Sequence, residues 1–151
     1  MDAPLCCAEC GADWSDGQTC TGHFHRMGFW ELDHQLYDVH HLMVLCYHLQ
    51  HPSLYAPDGL AGAKKLLVAF VEEGVTPQAM RQRIRKAVDS GVRGYKIKGT
   101  PDSCGAYAQP PEWEMVAADV VRAGISSYYA SVRKWAELTL KALRESGNLD
   151  S

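Results

Sequence analysis

The chain crowds its thiols at one end. Cys6, Cys7, Cys10 and Cys20 fall within the first twenty residues, and only Cys46 and Cys104 follow. Residues 4–22 around them are polar, irregular and Gly-containing, the pattern of a loop or knuckle that something must hold together. The opening MDAPLCCAEC has no basic region followed by an apolar stretch, so no secretory leader is expected and the chain is expected in the cytoplasm. In that compartment clustered cysteines read as metal ligands or redox groups before disulfides.

CAECG places Cys7 and Cys10 in a C-x-x-C-G turn. Two thiolates at this spacing can grip one zinc, and Gly11 lets the backbone curl behind them. Cys20 supplies a third soft ligand, and Cys6 is one residue out of register. Thiolates select zinc over magnesium or calcium, so Zn2+ is the expected cofactor. A redox dithiol would instead open a helix beside a strand, and little strand signal surrounds this motif. The fourth tetrahedral position falls to His23, His25 or a histidine further along. Four protein ligands would make the zinc structural, whereas three would leave room for water and chemistry.

The second feature is VHHLMVLCYHLQHP, residues 39–52, an apolar segment with four histidines. At 3.6 residues per turn, His40, Val44, Tyr47 and His51 share one stripe, and His41, Leu45 and His48 share a neighbouring one. His40 and His51 stand roughly 16 Å apart along the axis and cannot share an ion. His41 and His48, about 10 Å apart, would chelate badly. Only His48 and His51 have chelating spacing, and no acid lies between the histidines as in a zinc-protease helix. His40, near the helix start, is where the preceding knuckle could fold back. His40 is therefore the favoured fourth ligand beside Cys7, Cys10 and Cys20, with His23 and His25 left open at this point.

The rest of the chain is punctuated as helices. Phe24–Leu32 suggests a short helix, and Asp33 a cap for the histidine segment, which stops before Pro52. Leu60, Ala63, Leu67, Phe70 and Val71 recur at helical spacing up to Gly74. Thr76, Pro77 and Gly91 frame another helix. Residues 92–111 read as a long ordered loop. EWEMVAADVVRAG is ambiguous between strand and helix. A final helix from about Ser126 to Ser146 carries Tyr129, Val132, Ala136, Leu140 and Leu143 on one side and ends at Gly147.

The expected fold is mainly α, a four- to five-helix domain with an N-terminal Cys-rich zinc knuckle. At 151 residues, with 46% hydrophobic residues, the chain suits a single domain that needs no disulfides. Residues 1–25 would pack on a helical body spanning 26–147.

CAECG, a later lone cysteine and then V-H-x-L-x-V-x-x-Y-x-x-Q-H-P together resemble a bacterial family known only as a domain of unknown function. The second motif reads here Val39, His40, Leu42, Val44, Tyr47, Gln50, His51 and Pro52. The resemblance covers residues 7 to 75 well and the remainder loosely. It singles out Cys7, Cys10, Cys20, His40 and His51, and implies no activity.

Charge adds a weaker signal. The formal net charge is −3, so bulk basicity does not argue for nucleic acid or an anionic membrane. Arg81, Arg83, Arg85, Lys86, Arg93, Lys96 and Lys98 nevertheless face a single acid, Asp89, within residues 81–98. Such a stretch could steer phosphate, nucleic acid or an acidic protein, although a solvated helix face followed by a loop is the favoured reading. No apolar run approaches the roughly 18 residues that span a bilayer. The functional expectation is a small zinc-binding helical protein with structural zinc and a role in interaction or regulation, for a protein partner. The alternatives are a metal-dependent helical-bundle enzyme using His48 and His51, and a phosphate or nucleic-acid binder through residues 81–98.

Overall fold

The computed structural model describes residues 6–14, 18–74, 76, 79, 82 and 104–149. Among these residues the regular elements are helical: five α-helices and three short 3-10 turns. The single pairing of extended backbone is an isolated bridge between Cys6 and Asp13, across the base of the knuckle. The expected α class with an N-terminal cysteine cluster is what the molecule shows.

Helix α1, Cys20–Asp33, starts four residues before the expected Phe24. Thr19 sets that start, because its side-chain oxygen accepts the Gly22 N–H at 3.1 Å. Asp33 ends α1 and caps nothing after it, contrary to expectation. The chain leaves α1 through Gln35 at φ 56°, with Leu36 N–H donating back to the Glu31 carbonyl at 2.8 Å. This is a Schellman close built on glutamine rather than glycine. The 3-10 turn Tyr37–Val39 then leads into α2, His40–Leu49.

Helix α2 buries Met43, Leu45, Cys46, Tyr47 and Leu49, residues spread around its circumference. A helix apolar on all sides belongs in the interior. It packs against α1, against α3 (Pro57–Val71) and against the long C-terminal helix α5 (Tyr128–Glu145). The 3-10 turn Pro52–Leu54 ends it, as Pro52 requires. Pro57 opens α3 and Gly74, at φ 67°, follows its end. The expected cap at Thr76 is present, accepting the Ala79 N–H at 3.1 Å. The body of that expected helix and nearly all of the basic stretch lie outside the described residues.

The chain returns at Gly105, whose N–H donates to the Tyr55 carbonyl at 2.7 Å. A Cβ there would stand 2.9 Å from the Pro52 carbonyl oxygen and 2.8 Å from Leu60 Cδ2, so this close approach excludes side chains. Tyr107 follows and donates its hydroxyl to the Leu49 carbonyl. The ambiguous segment resolves as helix α4, Ala117–Ala123, packed on α1 and α5.

Helix α5 buries Tyr128, Val132, Trp135, Ala136, Thr139, Leu140 and Leu143, a stripe recurring every three or four residues. Tyr128 is fully buried, whereas the expected Tyr129 is only partly buried against the core. Gly147 ends α5 at φ 78°, where Asn148 N–H reaches the Leu143 carbonyl at 2.9 Å. One continuous core joins the knuckle residues Cys7, Cys10 and Ala12 to Met27, Met43, Leu49, Leu67 and Trp135. No helix among the described residues is long and apolar enough to cross a membrane.

Candidate metal centre

The knuckle is built from its own backbone. Cys7 N–H donates to the Ala12 carbonyl at 2.9 Å, and Gly11 N–H to the Cys7 carbonyl at 2.9 Å. Gly11 sits at φ 78°, the left-handed conformation that glycine adopts without steric cost. This turn brings Cys7 and Cys10 to one side, and the Cys10 N–H points at Cys7 Sγ across 3.4 Å. Cys20 opens α1 directly beside them, its Sγ 3.5 Å from that of Cys10. The Trp14 indole N–H donates to Cys20 Sγ at 3.4 Å, a contact available only because Thr19 starts the helix where it does.

The fourth member is His51, not His40. Single ligand atoms from Cys7, Cys10, Cys20 and His51 all lie within 4.8 Å of one another, and all four residues are buried. The expected placement of His40 fails because α1 and α2 run antiparallel. The start of α1, where Cys20 stands, meets the end of α2, and the start of α2 meets the end of α1. His40 accordingly lies by Glu31, with Nδ1 2.6 Å from Oε1. His25 is exposed on α1 and outside the cluster, as is Cys6 on the knuckle. His48 packs its ring against Phe24 and Tyr55, with centroids 6.0 and 5.3 Å away, and does not join His51 in a chelate. Cys46 is buried on α2, away from the other thiols.

His51 is oriented for the role. Its Nδ1 lies 2.6 Å from the Tyr47 carbonyl one turn earlier. A carbonyl can only accept, so Nδ1 carries the proton and Nε2 keeps a free lone pair. Nε2 is buried without a hydrogen-bond partner among the described residues, and what it faces is the sulfur cluster. Such an orphan is costly in a dry site unless something binds it. Packing against the Tyr47 ring, 4.4 Å between centroids and tilted by 35°, fixes the imidazole further. The Glu9 carboxylate accepts the Ser53 N–H at 3.1 Å and ties the knuckle to the turn after His51.

The electrostatics follow from proximity. The Cys20 thiol is held far below its ordinary range, to about 4, by the Cys10 S–H donating to it, with burial opposing and His51 and the Trp14 N–H assisting. Cys10, the donor of that pair, is pushed up by the same bond and by burial. Burial opposes charge on His51, but the nearby Cys20 sulfur and the Tyr47 carbonyl raise its pKa overall. A cation shared by the four would satisfy every one of these groups at once.

A tetrahedral zinc with Zn–S bonds of about 2.3 Å separates its sulfurs by about 3.8 Å. The 3.5 Å between Cys10 and Cys20 and the 4.8 Å limit for the whole set bracket that spacing. The donor set is soft and closed, with four protein atoms for four positions. A cleft of about 340 Å³ lined by Val39, Leu42, Phe70, Arg133 and Glu137 shares no residue with it.

Fold and site together define a small α-helical protein with a buried group of three cysteines and one histidine able to hold a metal. The chain belongs to a family of unknown function, DUF5946, which matches residues 6–144. No curated protein and no solved structure matches it.

Proposed function

We propose that the protein binds one zinc through Cys7, Cys10, Cys20 and His51, that this zinc is structural, and that the protein acts in the cytoplasm by interaction or regulation. The observation that carries the reading is the convergence of three buried thiols and one oriented, unpartnered imidazole nitrogen within 4.8 Å. Structural zinc sites are closed by four protein ligands, whereas catalytic ones keep a position for water. Here the ligand set is complete and buried, and the cleft lined by Val39 and Leu42 shares no residue with it. The ion would join three sequence-distant pieces: the knuckle, the start of α1 and the end of α2. A protein whose metal builds its frame offers partners a shaped surface rather than a reacting centre, which is why we favour a protein partner.

Elemental analysis of the purified protein tests the first part, with about one zinc per chain expected. Substituting cobalt(II) tests the second. A closed site of three sulfurs and one nitrogen gives tetrahedral absorption bands that added azide leaves unchanged. Bands that shift with azide would reveal an open position and overturn the structural reading.

A further inference from the structure

Glu31 is a carboxylate in the wrong place for a charge. It lies near the end of α1 and is 2% exposed, yet no lysine or arginine pairs with it among the described residues. Its two oxygens are taken by two different helices. Oε1 meets His40 Nδ1 of α2 at 2.6 Å, and Oε2 accepts the hydroxyl of Tyr128 from α5. A buried carboxylate is costly unless it is hydrogen-bonded and paired. The hydrogen bonds are present, but the sole counter-charge among the described residues is a histidine. The His40 side chain is 49% exposed, so it can exchange its proton with solvent while Glu31 cannot.

The location gives this arrangement a consequence. Helices α1 and α2 form an antiparallel hairpin tied near both ends. Cys20 and His51 meet at the open end, and Glu31 and His40 meet beside the turn, at residues 34–39. Tyr128 adds the start of α5 to that second tie, and Trp30 packs edge-on against the Tyr128 ring at 6.0 Å. We propose that Glu31, His40 and Tyr128 form a proton-operated clamp at the turn end of the α1–α2 hairpin, closed while His40 is protonated and loosened when it is not.

The groups facing His40 are few. Glu31 comes from α1, Tyr128 acts from α5 through that carboxylate, and His41 lies beside it on α2 with ring centroids 5.7 Å apart. Hydrogen bonding to Glu31 raises the His40 pKa, burial opposes, and the Glu31 charge assists. A group whose folded pKa is raised stabilises most below its unfolded value, about 6.5 for histidine, and loses that contribution as pH rises through the folded value. In the neutral form Nδ1–H still donates to Glu31, so the bond persists without charge assistance. The junction therefore loosens rather than breaks on the alkaline side. The clamp stands on its own residues and needs no metal at the other end of the hairpin.

The test follows His40 by NMR titration of the purified protein and compares melting temperatures with His40→Asn, whose amide still donates to Glu31 but does not titrate. The His40 ring should titrate above about 6.5, and Glu31→Gln should bring it back toward that value. The melting-temperature advantage of wild type over His40→Asn should be greatest in acid and largely gone about one unit above the His40 midpoint. A wild-type His40 that titrates at or below the free value overturns the proposal. A melting-temperature difference that stays flat with pH overturns it too. The first of these needs no variant, so the proposal stays testable even where Glu31→Gln does not fold.

Discussion

His40 opens α2 and His51 lies just past its end, and the two share one chemistry and one sequence motif, yet they stand at opposite ends of a hairpin. His51 has an anchored Nδ1 and an orphaned Nε2 among thiols; His40 has its Nδ1 on a carboxylate. The two therefore separate cleanly in a metal assay. His51→Ala should lower zinc content well below one per chain, because three thiolates must then recruit water or a weaker ligand. His40→Ala should leave zinc at about one per chain. Elemental analysis of both variants decides it, and equal zinc in the two would place the ligand elsewhere. Trp14 offers a finer probe of the same site. Its indole N–H spreads the negative charge of Cys20, and outer hydrogen bonds of this kind are worth about 10- to 100-fold in metal affinity. Trp14→Phe keeps the apolar ring and removes the donor. Competition against a chelator should show zinc held at least about tenfold less tightly, with stoichiometry unchanged.

At the scale of elements, the turn between α1 and α2 carries a residue that the geometry does not suit. Gln35 occupies φ 56°, a left-handed conformation that costs a side-chain-bearing residue roughly 1–2 kcal/mol. Gly at this position recovers that strain but gains unfolded-state entropy, so Gln35→Gly should stabilise by up to about 1 kcal/mol in denaturant melts. Gly105 is the converse case. A Cβ would press on the Pro52 carbonyl, which is backbone and cannot swing aside. Gly105→Ala should cost about 1–3 kcal/mol by overpacking. Because Pro52 follows His51, the variant should also lose zinc more readily.

These two residues show what the sequence could and could not reveal. Helices α3 and α5 were legible because their signals are local: Pro57 opens one, Gly147 closes the other, and apolar residues repeat at helical spacing between. The start of α1 was not, because Thr19 precedes Thr21, Gly22 and His23 rather than an apolar repeat. The end of α1 was expected to within one residue, at Leu32 against Asp33, although the left-handed close is made by Gln35 and not by the usual glycine or asparagine. Cys7 and Cys10 were readable from their spacing inside one turn, and Cys20 as the next thiol along the chain. The choice of His51 over His40 was not, because it depends on the antiparallel pairing of α1 and α2. Once Cys20 is known to open α1, a hairpin partner must reach it from the end of α2, and Tyr47 one turn earlier supplies the carbonyl that orients His51.

For the molecule as a whole, the question is how far the metal supports the fold. The knuckle contributes Cys7, Cys10 and Ala12 to the same core that holds Trp135 and Leu67. Polar attachments reinforce it, among them the Glu9 bond to Ser53 and the Trp14 bond to Cys20. Without an ion, three thiols and an imidazole remain buried against each other where the knuckle meets the helices. The disturbance would not stop there. His51 lies just past the end of α2, which is buried around its circumference and contacts α1, α3 and α5, so freeing that end exposes apolar surface shared by the other helices. Binding free energy at such a site is folding free energy. An ion present at a thousandfold excess over its dissociation constant stabilises the folded state by about 4 kcal/mol, a large share of the 5–15 kcal/mol typical of a domain. Stripping the metal with a strong chelator at neutral pH should therefore lower the melting temperature by roughly 10 °C or more in circular dichroism melts. Zinc, but not magnesium, should restore it, because magnesium requires oxygen ligands. Cys10→Ser should reproduce the stripped state with the chelator having no further effect. A stripped protein that melts at the wild-type temperature would mean that the helices hold the cysteine cluster together, and not the reverse.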